Sequence, residues 1–454
     1  MFTEIQIVEK ILEELSIIQG LSVKEIVGDD QFILPRLIAA GEGKSIQINR
    51  QIDGLISKLA LRLKRQEMAK SVRDRELVEW VRAKIGLYLV KVDFSFPQNV
   101  QAQFVLDNLR AELNTLLDSM KPSEFYFGST FLNISKFNAL SIGGVTIEDR
   151  GDWLSRMAEN GHIDSISKLR IKRAWSGRKL KPRNDKLANI LENRLLQALE
   201  NKPYVFSVAV DGHAREAGKE QAIAASRLAM TGVSLLWRMP SQILTKCHLS
   251  HDRGPWTEFI LASRESSPIS YGIRKHGIQT GLKLSAEEWN NLLERNVSFL
   301  NAVSEVINFL LNNNSEIVNR GRLLNTLLQA MFWFYYACKE DNPTTAMVGF
   351  SAALDALSGG KKANGILAVL EARLGMSSSD IIYDQGPSLN EFVKYLYSQG
   401  RSRIVHGTSD KMGHDWSTTR GTAESLTRHA LYACLDWVGG NRDEGYSSFL
   451  LKVS

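Results

Sequence analysis

The sequence predicts an α+β fold that is predominantly helical, with a helical N-terminal segment, a mixed α/β central region and an all-α bundle at the C-terminus. Three observations support this prediction. Apolar residues recur at helical spacing near the N-terminus, and short runs of β-type residues, often bounded by Pro or Gly, interrupt the middle of the chain. The strand pattern then fades after Ser285. We therefore divide the chain into residues 1–85, 86–284 and 285–454.

Length and composition indicate a globular protein of two or three domains. The chain has 454 residues, of which 44% are hydrophobic and 23% charged, which argues against a mainly disordered protein. Its 56 Lys and Arg residues against 50 Asp and Glu residues leave a net charge of +6. This excess is too small to identify a binding partner by itself.

The sequence predicts a cytoplasmic protein that has no membrane partner. Residues Met1–Ile18 carry acids inside an apolar stretch and lack the small-residue cleavage site of a signal peptide. The most apolar run, Leu323–Cys338, is shorter than the roughly 20 residues that span a bilayer. The cysteines Cys247, Cys338 and Cys434 are far apart, which favours neither a disulfide framework nor a zinc cluster.

The first region, residues 1–85, is expected to be helical. Thr3 and Gln6 have the spacing of a capping box, and the apolar residues that follow lie on one helical face. A second amphipathic stretch runs from about Asn49 to Ile85.

The central region, residues 86–284, is expected to alternate strands and helices. The predicted strands are Leu87–Phe96, Phe125–Phe131, Tyr204–Val210, Glu258–Ala262 and Ile269–Ile273. The clearest predicted helices are Val100–Leu117, Asp185–Leu199 and Ala214–Trp237.

The last region is expected to be a helical bundle long enough to bury its own core. Ser285 and Glu288 have the spacing of a capping box and open a long helix. Further helical segments are predicted at about 315–340, 344–357, 364–374, 388–399 and 418–438.

The most informative segment is Tyr395–Gly407, in which Arg401 is followed by the polar Ser402 and, five positions on, by His406. An arginine can hold a phosphate and stabilise its developing negative charge. An imidazole with an unperturbed pKa near 6.5 can transfer a proton at neutral pH. If both side chains reached one phosphate of RNA, its own 2′-hydroxyl would be the attacking group, and neither a metal nor a protein nucleophile would be needed.

The spacing limits how these two side chains can meet. Five residues of a regular helix turn through about 500°, which leaves Arg401 and His406 about 140° apart. They converge only if a helix begins inside the motif, where Gly400 favours a break, or if the site is shared between subunits. Arg403 and His406 form an i,i+3 pair on one face, so Arg403 is the reserve candidate. A capping role for His406 is the structural alternative.

The segment Arg401–Gly407 resembles the signature of HEPN domains, particularly the Apea-like branch, whose hallmark is an Arg, a polar residue and a His a few positions on. Phe350–Leu357 is similar to the first conserved helix of that branch, and Ile366–Leu374 and Leu389–Tyr397 fit the segments between them. The resemblance covers about 285–440. It implies that residues 285–454 form a HEPN-like helical bundle.

The resemblance also implies a function, because many HEPN proteins are metal-independent endoribonucleases of bacterial defence or toxin systems. It implies that Arg401 binds the phosphate and stabilises the transition state, that His406 transfers protons and that Ser402 assists. Asp355, where the branch more often has Glu, would orient Arg401 or His406; alternatively, it is an ordinary surface or paired acid. RNA is the implied substrate, no cofactor is needed, and two copies of the motif would meet at the interface of a homodimer or higher homo-oligomer.

Residues 1–284 are expected to restrain or direct this activity. We interpret them as a sensor or regulatory region for a regulatory or phage-derived partner, and the whole chain as an effector or toxin of anti-phage defence. The alternative is a non-catalytic HEPN module that dimerises and binds nucleic acid or a partner protein.

A basic segment in the central region is a second candidate for RNA binding. Residues Lys168–Lys186 contain nine Lys or Arg and one Asp, a local charge of +8 that exceeds the +6 of the whole chain. The predicted phosphate contacts are Arg170, Lys172, Arg173 and Arg178, and Trp175 can stack on a base. The alternative is a solvated loop with a core tryptophan.

Three further patterns have simpler interpretations. Gly41–Ser45 is similar to part of a phosphate-binding loop, but the first glycine that such a loop requires is Ile38 here, so we predict a polar turn. Cys247, His248 and His251 offer metal-ligand atoms without a complementary pair, which leaves metal-dependent hydrolysis as a third, weaker hypothesis. The aromatic run Phe332–Tyr336 is interpreted as core or dimer interface.

Overall fold

A computed structural model describes residues 2–18, 36–64, 71–118, 120–130, 133–134, 137–199, 202–252, 256–262, 270–276, 283–312, 320–411 and 413–450. These residues form two compact units. Unit 1 consists of Met1–Ser123 with Val210–Glu220, and unit 2 consists of Glu124–Ala209 with Gln221–Ser454. This division follows spatial compactness alone, so the three regions 1–85, 86–284 and 285–454 stay a prediction.

Unit 1 packs helices against a small β-hairpin. Its helices are α1 (Glu4–Ile18), α2 (Arg50–Leu63), α3 (Asp74–Leu89) and α4 (Gln98–Asp118), and its strands are β1 (Arg36–Gly41) and β2 (Lys44–Ile48). The predicted capping box is present, because the Thr3 amide donates to Gln6 Oε1 at 2.9 Å and the Gln6 amide to Thr3 Oγ1 at 3.3 Å. The buried apolar residues of all four helices form one core.

The hairpin corrects the expectation that residues 1–85 are helical throughout. Strands β1 and β2 pair antiparallel, and Ile38 and Ala40 are buried while Ala39 between them is exposed. Gly41, Glu42 and Gly43 all have positive φ, a conformation that a right-handed helix does not permit. The same residues make the polar turn that we predicted at Gly41–Ser45.

A second correction concerns Leu87–Phe96, which we predicted as a strand. Helix α3 continues to Leu89, and turns follow. Leu77, Val81, Ile85 and Leu89 recur every four residues and are all buried, so they continue the apolar face of the helix. A short apolar run at the end of a helix cannot be distinguished from a strand by its composition alone.

Unit 2 begins with a four-stranded sheet in the order β3-β7-β6-β5. Its strands are β3 (Ser123–Ser129), β5 (Leu140–Ile142), β6 (Val145–Asp149) and β7 (Tyr204–Val210). Strand β6 pairs antiparallel with both β5 and β7. Strands β4 (Asn133–Ile134) and β10 (Lys283–Leu284) form a short parallel pair, and β8 (Trp256–Ala262) pairs antiparallel with β9 (Ser270–His276).

The remaining helices of unit 2 include those predicted at 185–199, at 214–237 and after Ser285, whereas three others, within 150–175 and at 240–244, were not predicted. The remaining helices are α5 (Arg150–Glu159), α6 (Ser165–Trp175), α7 (Lys186–Leu199), α8 (Arg215–Leu235, whose first residues belong to unit 1), α9 (Pro240–Leu244), α10 (Ala286–Arg295), α11 (Val297–Leu311), α12 (Gly321–Lys339), α13 (Pro343–Leu357), α14 (Lys362–Leu374), α15 (Leu389–Tyr397), α16 (Arg403–Val405), α17 (Ser417–Gly440) and α18 (Tyr446–Phe449). The predicted fold class, α+β and predominantly helical, is therefore confirmed.

Helix α13 lies at the centre of the C-terminal helices and packs against α12 and α17. Most of its residues are buried, including the polar Ser351 and Asp355. Its Gly349 allows a close approach, because a Cβ atom there would lie 2.8 Å from the Cβ of Ala337 on α12. A carboxylate on such a helix needs compensating partners.

None of the described helices combines the length and the apolarity that a membrane span requires.

The contact between α3 and the hairpin yields a stability prediction. A Cβ atom at Gly86 would lie 2.1 Å from the carbonyl oxygen of Ala39, whereas nothing lies within 4 Å of the same atom built at Gly54. We expect Gly86→Ala to destabilise the protein by about 1–3 kcal/mol, because backbone must move. The matched Gly54→Ala should stabilise it by about 0.5–1 kcal/mol, since alanine is the better helix former. Urea unfolding of the full chain measures both, and equal shifts in the two variants would contradict this packing.

Candidate active site

Arg401 lies on a widened turn that continues helix α15. The helix starts with a capping box, in which the Glu391 amide donates to Ser388 Oγ at 3.3 Å and the Ser388 amide donates to Glu391 Oε2 at 2.9 Å. The amide and the hydroxyl of Ser388 both donate to the Glu391 carboxylate, and these two bonds lower its pKa. At Ser398–Ser402 the helix becomes a π-helix, a rare conformation that is frequent at functional sites.

The π-helix corrects our expectation of a break at Gly400. The chain stays helical from α15 through α16, and the amide of Arg403 donates to the carbonyl of Ser398. Gly400 is buried because the turn packs closely against α13. A Cβ atom at Gly400 would lie 3.0 Å from the sulfur of Met347 on α13. The glycine thus permits close packing and does not interrupt the helix.

The structure brings Arg401 and Asp355 together, although 46 residues separate them in the sequence. Arg401 Nη1 donates to Asp355 Oδ2, and the side chains are 29% and 10% exposed. The other carboxylate oxygen of Asp355 accepts from the backbone amide of Lys362 at 2.9 Å. One nearly buried carboxylate therefore holds both Arg401 and the first turn of α14.

Arg401 keeps hydrogen-bonding capacity beyond this ion pair. A guanidinium has five N–H donors, and within the described part of the chain only the bond to Asp355 is formed. The ring of Tyr397 lies 5.4 Å from the guanidinium carbon, within the range of a cation–π interaction. Arg401 is thus fixed in position and still has donors for an anion.

His406 is exposed and ends the short helix α16. Gly407 has a φ of 68°, the amide of Thr408 donates to the carbonyl of Arg403 at 2.9 Å, and that of Gly407 to Ile404 at 3.2 Å. This is the Schellman pattern of a helix C-terminus. It accounts for the backbone at His406 and Gly407, but among the described residues the imidazole has no hydrogen-bond partner.

The other residues of the motif are less constrained. Ser402 is partly buried, and its carbonyl accepts from the amide of His406 at 3.0 Å. Arg403 is exposed and pairs with Asp410 at 3.4 Å. Within the described residues, no hydrogen bond or ion pair joins His406 to Arg401 or Asp355. One copy of the chain therefore bonds Arg401 to Asp355, and no such bond includes His406.

The turn Gly359–Lys362 has no functional signal in the sequence, but its Lys362 amide binds the same carboxylate as Arg401. Gly359, Gly360 and Lys362 have positive φ, and the side chains of Lys361 and Lys362 are exposed. The Gly-Gly-Lys-Lys sequence was visible only as a break between helices. Its position next to Arg401 follows from the fold.

The basic segment Lys168–Lys186 is partly a helix with structural ion pairs. Arg170 Nε donates to Glu192 Oε2 at 2.8 Å, and Arg183 lies 3.4 Å from the other oxygen of this carboxylate, which is 1% exposed. Arg173 and Arg178 are exposed, as is Lys172, whose ammonium donates to Ser155 Oγ at 3.1 Å. Arg170 thus has a structural role, and the other three remain open to solvent.

Trp175 is packed within unit 2. The guanidinium of Arg150 lies 4.5 Å from its ring, and the ring packs against the buried cluster that includes Trp153 and Ile171. This placement favours the core role over base stacking.

The described residues contain no group of three or more His, Cys, Asp or Glu that could hold a metal ion. Burial raises the pKa of the Cys247 thiol to about 12, which disfavours the thiolate that binds metals. In the aromatic run, Phe334 and Tyr335 belong to the core, whereas Trp333 and Tyr336 are about half exposed.

Comparisons with protein-family models, curated proteins and solved structures give no match to this chain. The assignment of a function therefore depends on the motif and on the geometry around Arg401.

The double role of Asp355 yields a second stability prediction. We expect Asp355→Ala to destabilise the protein by about 1–3 kcal/mol, because it leaves a half-buried guanidinium and a helix-terminal amide without their acceptor. Asp410→Ala removes the more exposed acid paired with Arg403 and should change stability by less than about 0.5 kcal/mol. Urea unfolding compares the two variants, and a similar loss in both would show that Asp355 has no special role.

Proposed function

We propose that this protein is a metal-independent endoribonuclease of HEPN type, with Arg401 and His406 as its catalytic residues. The observation that carries the proposal is the environment of Arg401: a nearly buried carboxylate holds the guanidinium on a π-helical turn, and unused N–H donors remain for a phosphate. The exposed imidazole of His406 follows five residues later. Ser402 is an auxiliary polar group, and Asp355 is a positioning residue.

The proposed reaction is attack of the RNA 2′-oxygen on the adjacent phosphorus. The 2′-hydroxyl loses its proton to an imidazole, the bond from phosphorus to the 5′-oxygen breaks, and a protonated group donates a proton to that leaving oxygen. Arg401 stabilises the extra negative charge on the phosphate oxygens. The products are a 2′,3′-cyclic phosphate and a 5′-hydroxyl end.

The proposal includes a homodimer or higher homo-oligomer, because no hydrogen bond or ion pair joins Arg401 to His406 among the described residues of one chain. In a symmetric dimer, each motif can face its copy across the two-fold axis, so that Arg401 of one chain meets His406 of the other. We further propose an effector or toxin of anti-phage defence in the cytoplasm, controlled through residues 1–284 by a regulatory or phage-derived partner. These last points rest on the resemblance alone.

The alternative is a non-catalytic module for dimerisation and for binding nucleic acid or a partner protein. Two observations favour it: Asp355 ties the α13–α14 connection to Arg401 without any reaction, and the Schellman pattern explains Gly407 as a helix cap.

An RNA cleavage assay separates the two functions. In EDTA we expect the wild-type protein to cut total RNA or tRNA, and Arg401→Ala and His406→Ala to lose about 10²–10⁴-fold of the rate, because each removes a group needed in the transition state. His162→Ala, which changes another exposed histidine, should keep full activity. Mass spectrometry of the products should find cyclic phosphates. Cleavage by all four proteins would indicate a contaminating nuclease, and loss of activity in EDTA would favour the metal hypothesis.

Mixing the two inactive variants extends this test to the shared site. If one chain supplies Arg401 and the other His406, half of the randomly formed dimers are mixed and carry one intact site. The mixture should then recover about a quarter of the wild-type activity. No recovery would mean that each site uses one chain only.

The exposed part of the basic segment is expected to bind the RNA backbone. We expect Lys172→Ala/Arg173→Ala/Arg178→Ala to weaken binding of single-stranded RNA and to reduce the slope of log K against log salt by about 0.7 per lost phosphate contact. Binding is measured in the His406→Ala background to prevent cleavage. Lys58→Ala/Arg62→Ala, which removes exposed cations of α2, is the control, and identical slopes for both would exclude the segment from RNA binding.

A further inference from the structure

A second cationic cluster lies in unit 2, where α8, the end of α12 and the loop before β8 meet. Arg227 comes from α8, Tyr335, Tyr336 and Lys339 come from α12, and Asp252 comes from the loop. Arg227 Nη2 donates to Asp252 Oδ1 at 2.8 Å, and Lys339 Nζ lies 3.9 Å from the other carboxylate oxygen. The cluster therefore holds two cations and one carboxylate, an excess of one positive charge.

Lys339 and Asp252 are anchored by the backbone of the loop. The ammonium of Lys339 donates to the carbonyl of Cys247 at 2.9 Å, and the amide of Leu249 donates to Asp252 Oδ2 at 3.0 Å. Asp252 therefore has little remaining capacity to neutralise a second cation. Burial lowers the pKa of the Lys339 ammonium, which indicates that its charge is incompletely compensated.

Buried polar atoms without partners lie in the same place. Among the described residues, no hydrogen bond reaches Arg227 Nε, the hydroxyl of Tyr335 or His248 Nε2. Tyr335 is only 2% exposed, and the guanidinium of Arg227 and the ammonium of Lys339 each lie 5.6 Å from its ring centre. Buried donors usually have partners, so unpaired ones beside excess charge indicate a missing acceptor.

Three side chains of the cluster are partly exposed to solvent. The side chains of Arg227 and Lys339 are each 20% exposed. Tyr336, whose hydroxyl accepts from Arg227 Nη1 at 3.0 Å, is 51% exposed. Both cations are therefore partly accessible from solvent.

We propose that this cluster binds a small oxyanion, a phosphate or carboxylate group, between Arg227 and Lys339. The oxyanion supplies the missing negative charge, and Arg227 Nε and the Tyr335 hydroxyl are its additional donors. The site does not depend on the ribonuclease proposal, because it shares no residue with the environment of Arg401. A ligand bound there stabilises the packing of α8 on the end of α12.

The test is calorimetric titration of the full chain with inorganic phosphate at constant ionic strength. We expect one saturable site in the wild type, at least about tenfold weaker binding in Lys339→Gln, which loses a charge-assisted hydrogen bond, and about fivefold weaker binding in Tyr335→Phe. Lys394→Gln, which changes an exposed lysine on α15, should bind as the wild type does. Acetate in place of phosphate tells whether the site prefers carboxylates.

The variant Tyr335→Phe also guards against a folding artefact. Because the hydroxyl has no partner in the free protein, its removal should leave the thermal midpoint without phosphate unchanged or higher, while the stabilisation by phosphate decreases. The proposal is overturned if neither phosphate nor acetate binds the wild type saturably, or if Tyr335→Phe and Lys339→Gln bind the anion as the wild type does. Binding of an RNA oligonucleotide but of neither small anion would likewise overturn it.

Discussion

A carboxylate at the buried end of α13 imposes the main constraint on the candidate site. A charged side chain away from water is unfavourable unless partners replace its hydration. Asp355 obtains them from Arg401 on one oxygen and from the amide of Lys362 on the other. The first turn of α14 and the π-helical turn are thus tied to one point. The same bonds bring the backbone of Lys362 to the carboxylate that Arg401 binds.

Much of the fold could be predicted because its elements carry local signals. The capping boxes at Thr3, Ser285 and Ser388 mark three helix starts, and apolar periodicity outlines the C-terminal helices. Prediction was wrong where the local signal was ambiguous. Leu87–Phe96 has the composition of a strand but continues a helical face, and the hairpin between α1 and α2 is defined by glycines at Gly41 and Gly43 whose conformation a spacing argument does not reveal.

The candidate site could be predicted only in part, since its geometry depends on contacts between distant residues. The sequence motif indicated Arg401 and His406. The ion pair between Arg401 and Asp355 spans 46 residues, and only the resemblance suggested a role for Asp355. The π-helical turn also includes Gly400, whose close packing against Met347 no local pattern encodes. In the basic segment, burial of Glu192 converts Arg170 from a candidate RNA contact into a structural partner. Burial, which a single sequence does not display, decides between these roles.

The same criterion separates the two cationic sites of unit 2. Around Arg401 the carboxylate of Asp355 compensates the positive charge. The unused N–H donors belong to a partly exposed guanidinium, so water can accept hydrogen bonds from them. Around Arg227 two cations face one carboxylate, because Lys339 shares Asp252 with Arg227, and the buried hydroxyl of Tyr335 has no partner among the described residues. A site whose buried charges are compensated is stable without a ligand. A site with uncompensated charge is stabilised most by a ligand that stays bound. The first arrangement suits turnover, and the second suits a resident or regulatory anion.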